Sequence, residues 1–168
     1  AGLVRRLIDG GGLRISDALR LRVQDLDFKD DLLFIRGGKG DKHRTTILPE
    51  RLCAELKVHL KEVRGLHERD LAKGFGEVYL PGALAHKYPK ASREWKWQYV
   101  FPAKNRSVDP RGGKTMRHHV RESGLQKAVK SAVRQVGITK RVGCHTMRHS
   151  YATHLLENGI NIRMVQEL

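Results

Sequence analysis

The sequence predicts an α+β domain, mostly α-helical with a small antiparallel β-hairpin. Two stretches carry apolar residues at helical spacing: Leu52, Leu56, Leu60 and Val63 in one, and Leu125, Ala128, Val129, Ala132, Val133 and Val136 in the other. Two short runs with strand composition, Leu32-Leu33-Phe34-Ile35 and Arg44-Thr45-Thr46-Ile47-Leu48, flank the turn-forming string Gly37-Gly38-Lys39-Gly40-Asp41. With 168 residues, 39% of them hydrophobic, the chain suffices for one core, so a single domain over 1–168 is expected.

In chain order, residues 1–9 read as the end of a helix with Leu3, Leu7 and Ile8 on one side, broken by Gly10-Gly11-Gly12. Ser16 is the expected N-cap of a short helix through Leu21, and Asp25-Leu26-Asp27 a turn into the first strand. The hairpin then puts Lys39 at its tip. Pro49-Glu50 opens the first long helix, whose Lys57, Lys61 and Arg64 lie away from its apolar stripe. Residues 66–117 differ in composition, holding both Trp, three of the four Tyr and every Pro but Pro49; a stretch this long is expected to be built rather than structureless. The second long helix turns Lys127, Lys130 and Arg134 outward and ends at Gly137. A further helix carries Arg148 as far as Asn158, with Gly159 at its C′ position, and Asn161 caps another. Both ends of the sequence read as cut from a longer chain.

Lys and Arg number 33 against 18 Asp and Glu, a formal net charge of +15. Such an excess points to a polyanionic partner, nucleic acid first and an anionic membrane surface second. The apolar runs are far short of a bilayer span, and the first residues do not have the pattern of a leader, so secretion is not expected. Cys53 and Cys144, far apart, form neither a disulfide framework nor a Cys-x-x-Cys metal knuckle, so a reducing, cytoplasmic setting is expected.

The string His145-Thr146-Met147-Arg148-His149 carries the most chemistry. Residues three apart share a helix face, which lets the His145 imidazole and the Arg148 guanidinium converge on one anion. His145 and His149 at i, i+4 beside Cys144 also suggest zinc, but no Glu follows His145 as in the zincin pattern and no third ligand is evident, so no metal is expected.

Gly12-Leu13-Arg14-Ile15-Ser16-Asp17, the Lys39 hairpin and His145-x-x-Arg148-His149-Ser150-x-Ala152-Thr153-His154-Leu155-Leu156, in this order and at these separations, resemble the catalytic domain of the tyrosine recombinases, the phage-integrase family. The resemblance covers nearly the whole chain and implies that fold. It makes Arg14, Lys39, His145 and Arg148 catalytic; the nearby Lys42 and Arg44 read as phosphate contacts rather than catalysts. It further implies site-specific DNA recombination through a 3′-phosphotyrosine without metal or other cofactor, carried out by recombinase protomers assembled as a tetramer on DNA. Two guanidiniums, each able to bind phosphate bidentately, suit that chemistry. The family's nucleophilic tyrosine follows a Leu-Gly-His or Leu-Gly-Trp string, expected beyond Leu168, and its DNA-clamping domain precedes the residues given. A catalytic domain truncated at both ends and inactive alone is therefore expected. Asp17 stands where members usually carry Glu, as a supporting carboxylate with a shorter reach.

Within residues 66–117, strings such as Val78-Tyr79-Leu80-Pro81, Lys87-Tyr88-Pro89 and Arg93-Glu94-Trp95-x-Trp97-Gln98-Tyr99-Val100-Phe101-Pro102, together with Arg117-His118-His119 at its end, are similar to the integron integrases, which carry an extra helix here. This resemblance implies integration and excision of gene cassettes, on folded single-stranded attachment sites as well as double-stranded integron sites. Trp97, Pro110, His118 and His119 would then sandwich bases that bulge from an imperfect hairpin, since aromatic and imidazole faces stack on any base.

Plainer readings stand beside these. Tyr151, where the family commonly has Phe, reads as a core aromatic rather than the nucleophile. Trp95 and Trp97, two apart, face different ways on a helix, so one is expected in the core. His118-His119 alone would be a solvated basic face, and His154 a hydrogen-bonding residue of its helix. A non-catalytic basic nucleic-acid-binding module is the alternative function.

Overall fold

The computed structural model describes residues 2–36 and 43–137, together with Thr153 and Glu157. Helix α1 (Gly2–Gly11) buries Val4, Leu7 and Ile8, with Leu3 partly buried against the same core. It runs on through Gly10 and Gly11, where the sequence suggested a break. These glycines allow close packing: a Cβ on Gly10 would meet the Pro49 ring at 3.0 Å, and one on Gly11 would meet Leu13 at 2.6 Å. Gly12, at φ +62°, ends the helix in the left-handed conformation.

Helix α2 (Ile15–Arg20) begins one residue before the expected cap. Arg14 takes the extended N-cap conformation and its carbonyl accepts the Ala18 N–H at 3.0 Å, so Ser16 lies inside the helix and its hydroxyl donates to Asp17 instead. A 3₁₀ turn (Val23–Asp25) follows, and Leu26 and Asp27, expected in a turn, pair as strand β1 (Leu26–Asp27) with β2 (Leu32–Ile35). The reversal comes at residues 28–31, where the Asp27 carboxylate accepts the N–H groups of Lys29 and Asp30.

β2 pairs antiparallel with β3 (Arg44–Ile47), giving a three-stranded sheet in the order β1-β2-β3. Alternation puts Leu33 and Ile35 in the core and leaves Phe34 partly exposed. Thr46, opposite Leu33, is buried and donates its hydroxyl to the Gly11 carbonyl at 3.1 Å. Arg44, opposite Ile35, therefore points to the same inward face.

Helix α3 (Glu50–Ala72) is longer than the apolar stripe indicated. Its buried positions Leu52, Leu56 and Val63 continue as His67 and Asp70, polar residues on the same face, so residues 66–72 extend this helix rather than open a separate region. The rest of 66–117 is built as expected. It contains the five-residue helix α4 (Ala83–Lys87), 3₁₀ turns at Ala91–Arg93 and Trp95–Trp97, and a ribbon of β4 (Ser107–Val108) and β5 (Thr115–Met116). Val78, Leu80, Ala91 and Tyr99 form a second small core, with Leu84 and Trp97 packed on it.

The segment after Trp97 ties this part to the main core. Tyr99 bridges Arg22, with the Val100 N–H donating to the Leu21 carbonyl at 2.9 Å, and Pro102 bridges His119. Val100 and Phe101 join the first core with Leu125 of helix α5 (Glu122–Gln135). α5 buries Leu125 and Val129, but Val136 lies beyond its end and is 74% exposed; Gly137, at φ +72°, follows. The helices expected around Arg148 and after Asn161 lie outside the described residues, apart from Thr153 and Glu157. No helix among the described residues is long and apolar enough to cross a membrane.

Candidate functional site

Of the four expected catalytic residues, Arg14 is described; Lys39, His145 and Arg148 lie outside the described residues, as does Lys42. Arg14 occupies the N-cap of α2 with its side chain 35% exposed, so its guanidinium remains available to an external anion. The turn at Gly12 and the first helical bond to the Arg14 carbonyl fix the backbone from which it projects. Asp17, one helical turn on, has its carboxylate 3.8 Å from Arg14 and accepts a hydrogen bond from Arg44 Nη2 at 3.0 Å. The aspartate thus reaches both arginines despite its short side chain. The Arg44 Nε–H is buried and has no hydrogen-bond partner among the described residues. One carboxylate against two guanidiniums leaves a net positive charge where α2 meets β3, a suitable arrangement for a phosphodiester.

The four residues expected to meet bases fall in the other half of the domain. Trp97 is half-buried on the second core, while Trp95 turns toward α3, its ring 6.0 Å from that of His67 and 5.9 Å from the Arg64 guanidinium. The two tryptophans do face different ways. Pro110 is exposed in the β4–β5 turn, where the buried Asp109 carboxylate accepts the Arg111 N–H at 2.9 Å. His119 sets its ring edge-on to Tyr99 at 5.2 Å, and its Nδ1 lies 2.8 Å from the Val120 carbonyl. His118 Nε2 is buried without a hydrogen-bond partner among the described residues.

Sequence reasoning missed the charged groups that hold this half together. Arg22, 8% exposed, donates to the carbonyls of Trp97 at 2.6 Å and Tyr79 at 2.7 Å, and burial pushes its guanidinium below the ordinary arginine value. Arg117 makes a two-point contact with Asp70, Nε to Oδ2 at 2.6 Å and Nη2 to Oδ1 at 2.9 Å, and donates through Nη1 to the carbonyls of Ala103 and Lys104. That pair anchors the segment just before His118 and His119 to α3, and the Arg117 hydrogen bonds hold the Asp70 carboxyl below the usual carboxylate range. Only the interruption of an apolar helical stripe by His67 and Asp70 hinted at such partners. Among the described residues no cluster of three or more His, Cys, Asp or Glu side chains is placed to hold a metal ion; His145, His149 and Cys144 lie outside them.

The chain thus combines a strongly basic composition, an α+β fold and two arginines, Arg14 at the N-cap of α2 and Arg44 on β3, held on one carboxylate. The family model described as "Phage integrase family" matches residues 3–168, and the chain belongs to that family. An "Integrase/recombinase" of Escherichia coli is 46% identical over 166 residues, covering 99% of this chain and 49% of the relative. The "Tyrosine recombinase XerA" of Pyrococcus furiosus is 30% identical over 167 residues, covering 99% of this chain and 44% of the relative. The chain thus spans about half the length of the curated relatives it matches. Among solved structures, the crystal structure of XerA recombinase superposes with a TM-score of 0.62 at 23% identity, covering 98% of this chain and 46% of that one. XerH site-specific recombinase bound to its difH substrate superposes at 0.61 and 24% identity, covering 98% and 37%. These likenesses establish the tyrosine recombinase catalytic-domain fold, as expected from the sequence.

Proposed function

We propose that this chain is the catalytic part of a site-specific tyrosine recombinase that acts on DNA by metal-free phosphoryl transfer. The carrying observation is the gathering of Arg14 and Arg44 on Asp17, in a chain whose family motifs also include Lys39, His145 and Arg148. Arg14 and Arg148 clamp the non-bridging oxygens of the scissile phosphate, where charge builds in the transition state. A tyrosine hydroxyl attacks phosphorus, the bond to the 5′-oxygen breaks, and Lys39 protonates that oxygen as it departs. His145 orients protons at the phosphate. The resulting 3′-phosphotyrosine keeps the energy of the broken bond for rejoining. Lys42 and Arg44 hold neighbouring phosphates, and recombinase protomers pair on the DNA.

The substrate reading is finer: integron-type cassette sites, recognised as folded single strands whose extruded bases meet Trp97, Pro110, His118 and His119. Its support is the part-exposed Trp97, the exposed Pro110 turn and the anchoring of the His118-His119 segment by Arg117. The test compares affinity for a hairpin carrying extruded bases with affinity for its fully paired counterpart. Trp97→Ala and His119→Ala should each weaken the bulged hairpin by about 1 to 3 kcal/mol while sparing the duplex. Equal losses on both would assign these residues to the fold or to general binding.

A further inference from the structure

Arg22 lies where three segments meet. Its backbone bridges Tyr99 in antiparallel fashion, and its side chain is buried against Tyr79, Trp97 and Tyr99. The guanidinium donates to the Trp97 carbonyl at 2.6 Å and the Tyr79 carbonyl at 2.7 Å, and lies 3.4 Å from the Tyr99 hydroxyl. It also sits over two rings, 4.6 Å from the centre of Tyr99 and 5.8 Å from that of Trp97. Tyr99, 6% exposed, in turn meets the edge of the His119 ring.

Arg22 is a costly residue to place here. None of the ion pairs among the described residues involves its guanidinium. The nearby Asp25 carboxylate accepts the Arg22 backbone N–H at 2.9 Å and Arg36 Nε at 2.5 Å instead. A desolvated cation without a carboxylate is tolerated only where its donors and its planar face are well used. Here they converge on the Trp97–Tyr99 segment and on the Tyr79 carbonyl, and Tyr99 in turn meets His119. Gln98, bonded to the Gly76 carbonyl, and Arg117, paired with Asp70, support the backbone of that region, and the His119 ring has a contact of its own, Nδ1 to the Val120 carbonyl at 2.8 Å.

We propose that Arg22 is a positioning residue for base recognition: without touching DNA, it fixes Trp97 directly and His119 through Tyr99, and so sets the preference for extruded bases over paired ones. The inference rests on the base-reading role proposed above. Lysine cannot take its place, because an ammonium group has neither two divergent in-plane donors nor a flat face to lie between rings.

The test uses this chain with Trp95→Phe, which leaves Trp97 as its only tryptophan. Acrylamide quenching of Trp97 reports how firmly the ring is held in the free protein, and paired binding curves give the preference for a bulged over a fully paired hairpin. In Arg22→Gln, quenching should rise and the preference should fall by about tenfold, with duplex affinity unchanged. Arg22→Lys, which keeps the charge and is the milder change should Arg22→Gln unfold, should show the same two effects while retaining cooperative thermal unfolding. Wild-type quenching and preference in a folded Arg22→Lys would overturn the proposal, as would an equal loss on both DNAs. Should Trp97→Ala itself leave the preference intact, the base-reading role fails, and the quenching comparison alone decides whether Arg22 holds Trp97.

Discussion

The Asp17 carboxylate accepts a hydrogen bond from the Arg44 guanidinium at 3.0 Å, joining helix α2 to strand β3 across the inward face of the sheet. Both side chains are largely buried, at 8% and 17% exposure, and Arg14 stands 3.8 Å from the same carboxylate. The motif that begins at Gly12 is thereby tied to strand β3. Removing the carboxylate strands two cations, one of them little exposed. Asp17→Ala should cost about 3 kcal/mol of stability, read as a lower urea midpoint at unchanged slope. An unchanged midpoint would show that the arginines find other partners.

A second lock, between Asp70 and Arg117, gives an acid-dependent stability with a definite sign. The Arg117 hydrogen bonds lower the folded-state pKa of Asp70, so below neutrality the unfolded chain takes up its proton first. The stabilisation is complete above the usual carboxylate range and is lost as pH falls through that range toward the lower folded value. Thermal midpoints recorded between about pH 5 and 2 should therefore decline more steeply for the parent chain than for Asp70→Asn. At neutral pH the variant should already be less stable by about 3 kcal/mol. Parallel acid profiles would contradict the assignment.

His67 supplies a separate window at higher pH. Burial lowers its pKa, and its Nε2 lies 3.0 Å from the Arg93 carbonyl, to which the neutral ring donates. The folded state thus favours the uncharged ring. Stability should be full above about pH 6.5 and should fall as pH drops through that value toward the lower folded pKa. His67→Gln should flatten this part of the profile, and differential scanning calorimetry in steps between pH 7 and 5 measures it.

What was legible in the sequence divides along a physical line. Residues 32–35 announce their strand by composition, and Leu52, Leu56 and Val63 their helix by period, because each signal is local. The same rule lost the end of α3, where His67 and Asp70 occupy buried stripe positions and look polar only until Arg93 and Arg117 are in place. Arg22 carries no local signal of its role, because its partners lie 57 and 75 positions away in sequence. Ser16 failed as a cap because the Arg14 carbonyl already begins the helix. In the candidate site, the motif singled out Arg14 and Asp17, whereas the joint hold of Asp17 on Arg14 and Arg44 depends on strand register, which spacing does not encode.

The charge of +15 predicts how binding responds to salt. If Lys and Arg neutralise phosphates, log affinity for any duplex should fall linearly with log salt concentration, with a slope of about −0.9 for each phosphate contacted. Fluorescence anisotropy between about 50 and 200 mM salt gives that slope, for which a loss of about 10³-fold corresponds to roughly six contacts. A flat response would remove nucleic acid as the partner.

Strand cleavage tests the central claim most directly. In the protein encoded by the complete reading frame, a nicked DNA substrate traps the phosphotyrosine intermediate as a covalent adduct visible on a denaturing gel. Arg14→Lys and Arg148→Lys keep the charge but lose the bidentate clamp on phosphate. Each should abolish the adduct while leaving DNA affinity within about threefold of the parent, because the interaction removed is made in the transition state. Adduct formation at near-parent rates in either variant would take that arginine out of the active site and contradict the account.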